Sequence, residues 1–123
     1  MTDSVSPILS ALSTVRVPAT PGESDLHALI AAALDVAGIA YAHELRLADG
    51  ARIDFLVGSV GIEVKKSRPE RARLLRQLEK YLACAELSAL IVVSQRALSL
   101  PSTCHGKPVL LFTLNRLWGV SLP

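Results

Sequence analysis

The chain has 123 residues, half of them hydrophobic and only 4% aromatic, so Leu, Val, Ile and Ala must fill a single core. That composition excludes a disordered chain and leaves too little length for two independent domains. The formal net charge of +2 is nearly neutral, but Lys65, Lys66, Arg68, Arg71, Arg73, Arg76 and Lys80 crowd one stretch that holds only two carboxylates, Glu70 and Glu79.

Residues 1–22 carry Pro7, Pro18 and Pro21 among Ser and Thr, which predicts a loosely attached arm with room for one helical turn ahead of a single domain over 23–123. Asp3 stands where a secretory leader would be basic, and no such leader pattern follows, so the expected location is the cytoplasm. From 23 to 37 the apolar residues Leu26, Leu29, Ile30, Ala33, Leu34 and Ala37 recur every three or four positions, and Gly38 follows; this predicts a helix with a glycine C-cap. A strand over 39–47 comes next, then the Asp49-Gly50 turn. Residues 52–57 alternate, with Ile53, Phe55 and Val57 expected on one face and Arg52, Asp54 and Leu56 on the other. Gly58-Ser59 reads as a tight connection to a returning strand over 60–66, which sets Gly61, Glu63 and Lys65 on one face and Val60, Ile62 and Val64 on the other.

Pro69 suits the first turn of a second helix that runs to about residue 86 with Leu74, Leu75, Leu78, Leu82 and Ala85 as its apolar stripe. Gln77 and Tyr81, one turn apart, project from the same side of it. The continuous apolar run over 89–94 predicts a central strand buried on both faces; residues 108–114 predict another, and 117–122 either finish the sheet or fray. The apolar stretches 26–42 and 82–94 are interrupted by His27, Asp35, Glu86 and Ser88, which argues against a membrane span. Cys84 and Cys104 are widely spaced and fit reduced thiols; Cys104 beside His105 is too little for a metal site.

The chemistry concentrates in the predicted hairpin. Asp54 on one strand and Glu63 on the next can converge on a shared cation, and oxygen ligands of this kind select magnesium, with manganese as substitute. Lys65, two residues beyond Glu63, points to the same side, where its ammonium can orient a water or stabilise charge growing on a phosphate. That combination suits metal-assisted phosphodiester hydrolysis. A charged strand face that simply meets water is the structural alternative. The basic stretch around Arg71, Arg73 and Arg76 attracts phosphate backbones, although a solvated helix face carries the same pattern.

The run from Arg52 to Lys66, with Asp54 and then Glu63-Val64-Lys65, resembles the core of the PD-(D/E)XK nuclease superfamily, over about residues 23–94. Ile53 stands where the motif's proline would be, a departure shared by many members. The resemblance implies a restriction-endonuclease-like α/β core: helix, three-stranded antiparallel meander, helix and strand around a mixed central sheet. It also implies a deoxyribonuclease with Asp54, Glu63 and Lys65 as catalytic residues and Asp54, Glu63 and the Val64 carbonyl around one or two Mg2+ ions. Gln77 to Tyr81 is similar to the Gln-x-x-x-Tyr motif of the RecB-like and Cas4-like branch, which contacts the catalytic region and DNA, and His27 could match that branch's metal-binding histidine. Glu23 is the competing first-helix ligand, as in the Holliday-junction-resolvase-like branch, and Glu44 on the first strand is a third candidate. The implied partner is nucleic acid, DNA before RNA, with a homodimer or larger assembly as a further expectation and no membrane. Two other classes stay open at this point: a nucleic-acid-binding module of the same fold without catalysis, and a small α/β oligomerisation protein with no nucleic-acid role.

Overall fold

In the computed structural model the described residues are 4–18, 23–48, 50–66 and 69–116, with the backbone only at 23, 24, 115 and 116. In chain order the elements are α1 (Val5–Leu12), β1 (Arg16–Val17), α2 (Glu23–Val36), β2 (Ala42–Arg46), β3 (Arg52–Val57), β4 (Val60–Lys65), α3 (Arg71–Leu82), β5 (Ala89–Ser94), β6 (Thr103–Cys104), β7 (Lys107–Thr113) and β8 (Asn115–Arg116).

The periodic apolar residues of α2 are its buried face, with Leu26, Ile30 and Leu34 fully covered. The helix stops where the sequence predicts: Gly38 takes φ 72°, and the Ile39 N–H reaches back to the Leu34 carbonyl at 2.9 Å, a left-handed glycine C-cap. β2, β3 and β4 form an antiparallel meander, Gly58 turning between the last two with φ 60°. After β4 the chain crosses over through α3 and returns as β5 parallel to β4; β7 then pairs parallel to β5. The result is a mixed six-stranded sheet in the order β2-β3-β4-β5-β7-β6, with a two-stranded parallel sheet of β1 and β8 beside it. As expected for a central strand, β5 is buried along its whole length.

Each face of the large sheet carries its own core. On one side α1 and α2 pack Ile8, Leu12, Leu26 and Leu34 against Phe55, Ile62, Val64 and Ile91. On the other, α3 packs Leu74, Leu78 and Leu82 against Ile53, Leu87, Leu90 and Val92. No helix among the described residues is long and apolar enough to cross a membrane.

Four expectations need correction. The arm expected to be loose contains a helix, because Ile8, Leu12, Val15 and Val17 are buried, and Pro7 falls in the first turn, where no intrahelical bond is lost. The first meander strand begins at Ala42, later than its β-rich sequence suggests. The second predicted helix spans only Arg71–Leu82, and Pro69 precedes it. Strict alternation fails in β3: Phe55 packs on the α2 side, but Ile53 packs on the α3 side, its Cδ1 3.2 Å from where a Gly61 Cβ would stand. The β3–β4 register runs through Val57↔Val60, Leu56↔Gly61 and Phe55↔Ile62, and past it the Val64 N–H donates to the Asp54 carboxylate instead. Predicted strand 117–122 lies outside the described residues.

Candidate functional site

Asp54 and Glu63 lie where β3 leaves the β4 ladder, near enough for the Asp54 charge to act on Glu63. Asp54 Oδ2 accepts the Val64 N–H at 2.8 Å, which fixes the carboxylate in the gap between the strands. Glu63, on the α3 face of β4, is only 5% exposed. α3 supplies its partners: Tyr81 Oη donates to Glu63 Oε1 at 3.1 Å and Gln77 Nε2 donates to Glu63 Oε2 at 3.2 Å. Gln77 Nε2 also lies 3.2 Å from Tyr81 Oη, and that hydroxyl reaches the Arg52 carbonyl at 2.8 Å, so the helix is tied to β3 as well as to β4. Lys65 Nζ stands 3.4 Å from Glu63 Oε2. The alternation of β4 and the one-turn spacing of Gln77 and Tyr81 converge on a single carboxylate.

The electrostatics follow from that enclosure. Burial first, and then the Asp54 charge, raise the Glu63 pKa from 4.5 to about 7, against the opposing pull of Lys65 and the Tyr81 hydrogen bond. Burial and the neighbouring Glu63 carboxylate also hold the Tyr81 phenol well above its ordinary value, so it remains a hydrogen-bond donor. A buried carboxylate whose ionised form is disfavoured by burial and by the neighbouring Asp54 charge is one that a dication would neutralise. Their oxygen chemistry fits magnesium or manganese.

On the α2 side, His27 is 8% exposed, and its Nε2 lies 3.8 Å from Asp54 Oδ2. Its Nδ1 is 2.8 Å from Nε2 of His43, a residue the sequence does not single out. The ring of His43 stacks on Phe55 at 4.6 Å and 23°, and His27 packs on the same phenyl at 5.5 Å. Glu44 is exposed on β2 with φ 55°, and its carboxylate falls within 4.8 Å of the His27 and His43 nitrogens.

Glu63 therefore gathers Lys65, Gln77 and Tyr81, while Asp54 gathers the Val64 amide and, at 3.8 Å, His27; the Asp54 charge acts on Glu63 and links the two groups. The Glu23 side chain is outside the described residues. Arg71, Arg73 and Arg76 are exposed on α3, and Arg71 Nη1 is engaged by the Ser99 carbonyl at 2.6 Å. Cys104 and His105 belong to the β6–β7 hairpin, where His105 Nε2 meets the exposed Glu79 at 3.0 Å. Positions 77 and 81 face the site, so position 79 projects from the other side of α3. His43 is not singled out by the sequence because it sits on an exposed edge strand outside the motifs, and its partner His27 lies on α2, before the meander begins. The only available signal was its expected place across from β3 in the meander.

Protein-family models, curated proteins and solved structures offer no match to the chain.

Proposed function

We propose that this chain is a divalent-cation-dependent nuclease of the PD-(D/E)XK kind with a restriction-endonuclease-like core, acting on DNA. The observation that carries the reading is the junction of Asp54, Glu63 and Lys65 at the point where β3 and β4 separate, with Glu63 buried and clamped by Tyr81 and Gln77. An antiparallel meander, a crossover helix and a strand parallel to the Glu63 strand are in keeping with that core.

Asp54 and Glu63 would hold the cation, with His27 Nε2, 3.8 Å from Asp54 Oδ2, as a further donor and the Val64 carbonyl as the one that the resemblance implies. Bound there, magnesium or manganese supplies charge neutralisation at the scissile phosphate. The protein's own groups do the remaining work. Tyr81 and Gln77 hold Glu63 in one orientation, so no reorganisation is needed when substrate arrives. The Lys65 ammonium, next to Glu63 Oε2, orients the attacking water and stabilises the negative charge that develops on the phosphate. The exposed Arg73 and Arg76, with Arg71 at the start of the same helix, draw the backbone toward the site.

Cleavage of labelled single-stranded, duplex and branched DNA in magnesium tests this directly. The wild type should cut at least one of them. Asp54→Ala and Lys65→Ala should each lower turnover by about 100-fold or more, and Lys65→Ala should leave DNA affinity nearly unchanged. Equal cleavage by all three proteins eliminates the site. No cleavage together with tight DNA binding and no heat on magnesium titration favours a binding module of the same fold.

A further inference from the structure

We propose that His43 is a positioning residue for the cation site, holding the His27 ring so that its Nε2 is presented beside Asp54, and that this pair of imidazoles gives the site a preference for manganese over magnesium. The inference rests on the cation-dependent reading above. It adds a residue outside every motif that suggested that reading.

The geometry is a relay of three side chains: His43 Nε2 to His27 Nδ1 at 2.8 Å, then His27 Nε2 to Asp54 Oδ2 at 3.8 Å. An imidazole ligates only through an unprotonated nitrogen, so a cation on His27 Nε2 requires the proton on Nδ1. That N–H then needs an acceptor in its plane, and His43 Nε2 is at hydrogen-bond distance. Both rings rest on Phe55, which is fully buried and is the register partner of His43 across β2 and β3. A rigid platform of this kind removes the rotamer freedom that His27 would otherwise lose on ligation.

The distance from Nε2 to Oδ2 is too long for a hydrogen bond yet suits two donors to one ion. The chemistry then points to the metal. Carboxylates alone suit magnesium, whereas an imidazole donor favours a first-row transition ion, and manganese is the one that tolerates a mainly oxygen site. Ligands that orient a metal-bound histidine are worth about 10-fold to 100-fold in affinity.

The experiment is calorimetric titration of Mn2+, and separately Mg2+, into the full chain as wild type, His43→Phe, His43→Gln and Asp54→Ala. His43→Phe keeps a ring on Phe55 and removes the acceptor; His43→Gln restores an acceptor. Manganese affinity should fall about 10-fold or more in His43→Phe, magnesium affinity should fall much less, and His43→Gln should recover most of the manganese loss. His43→Val, suited to an edge strand, takes the place of His43→Phe if the latter does not fold. If Asp54→Ala abolishes binding while His43→Phe matches wild type, the His43 proposal is overturned and the cation site stands. If both ions weaken equally in His43→Phe, the residue is merely structural and the proposal is again overturned. Heat that is absent in wild type, or indifferent to Asp54→Ala, removes the cation site and this inference with it.

Discussion

On the α2 side of the sheet, stability comes from aliphatic burial, and the polar groups His27 and His43 are confined to the margin around Phe55. On the α3 side a carboxylate sits inside the core: Glu63, 5% exposed, among Tyr81, Gln77 and Lys65. The first arrangement is what folding alone favours. The second opposes folding, since burying an ionised group costs free energy that apolar residues of similar volume would not. The cation-dependent function proposed above accounts for a cost concentrated at this one point. Asp54 stands between the two faces, bonded to the Val64 amide in the gap and near His27, and so couples them.

The contrast can be tested in order of effect. Leu12, fully buried where α1 meets the α2-side core, should cost about 2–5 kcal/mol as Leu12→Ala in chemical denaturation, the ordinary result of a core cavity. A value within experimental error of zero would mean that α1 is not part of that core. Glu63 should behave in the opposite sense. Its pKa is raised to about 7 in the folded protein from 4.5, so the folded state keeps a proton that the unfolded chain releases. The linked stability is full below pH 4.5 and is lost as pH rises through about 7, on the order of 3 kcal/mol in cation-free buffer. Glu63→Gln should flatten that pH dependence, and magnesium should stabilise the wild type more at pH 8 than at pH 5.5. An unchanged slope in Glu63→Gln would break the comparison. The smallest effect is Tyr81→Phe, which deletes the hydroxyl that bonds Glu63 and the Arg52 carbonyl; about 1–3 kcal/mol should be lost, measured by thermal melting. A neutral or stabilising outcome would show that the phenol serves the site without supporting the fold.

What could be read in the sequence was whatever depends on local period. The α2 stripe, the β3–β4 turn at Gly58, the alternation of β4 and the uninterrupted apolar run of β5 are each set by residues within a few positions of one another. The grouping of Glu63 with Lys65, and of Gln77 with Tyr81, follows from the same rule, two residues along a strand and four along a helix. What escaped depends on distant partners. α1 has helical spacing of Ile8 and Leu12, but only α2 makes that spacing worth burying, and three prolines in 1–22 masked it. Ile53 crosses to the α3 face because β3 parts from β4 near Asp54, a bend that no period-two pattern encodes. His43 acquires a partner only once the meander sets it against Phe55 and the end of α2 bearing His27 closes over it.

The small parallel pairing of β1 with β8, Arg16 to Asn115 and Val17 to Arg116, bears on the order of assembly. No turn can join these segments, because every strand of the larger sheet lies between them in the chain, so the entropy of closing that loop defers the pair until the sheet has formed. α1 has no such wait: its neighbour α2 follows closely in sequence, and the two can dock early. Val17, fully buried in the core that α1 and α2 share, is covered by that early docking, and only its backbone pairing to Arg116 waits for the sheet.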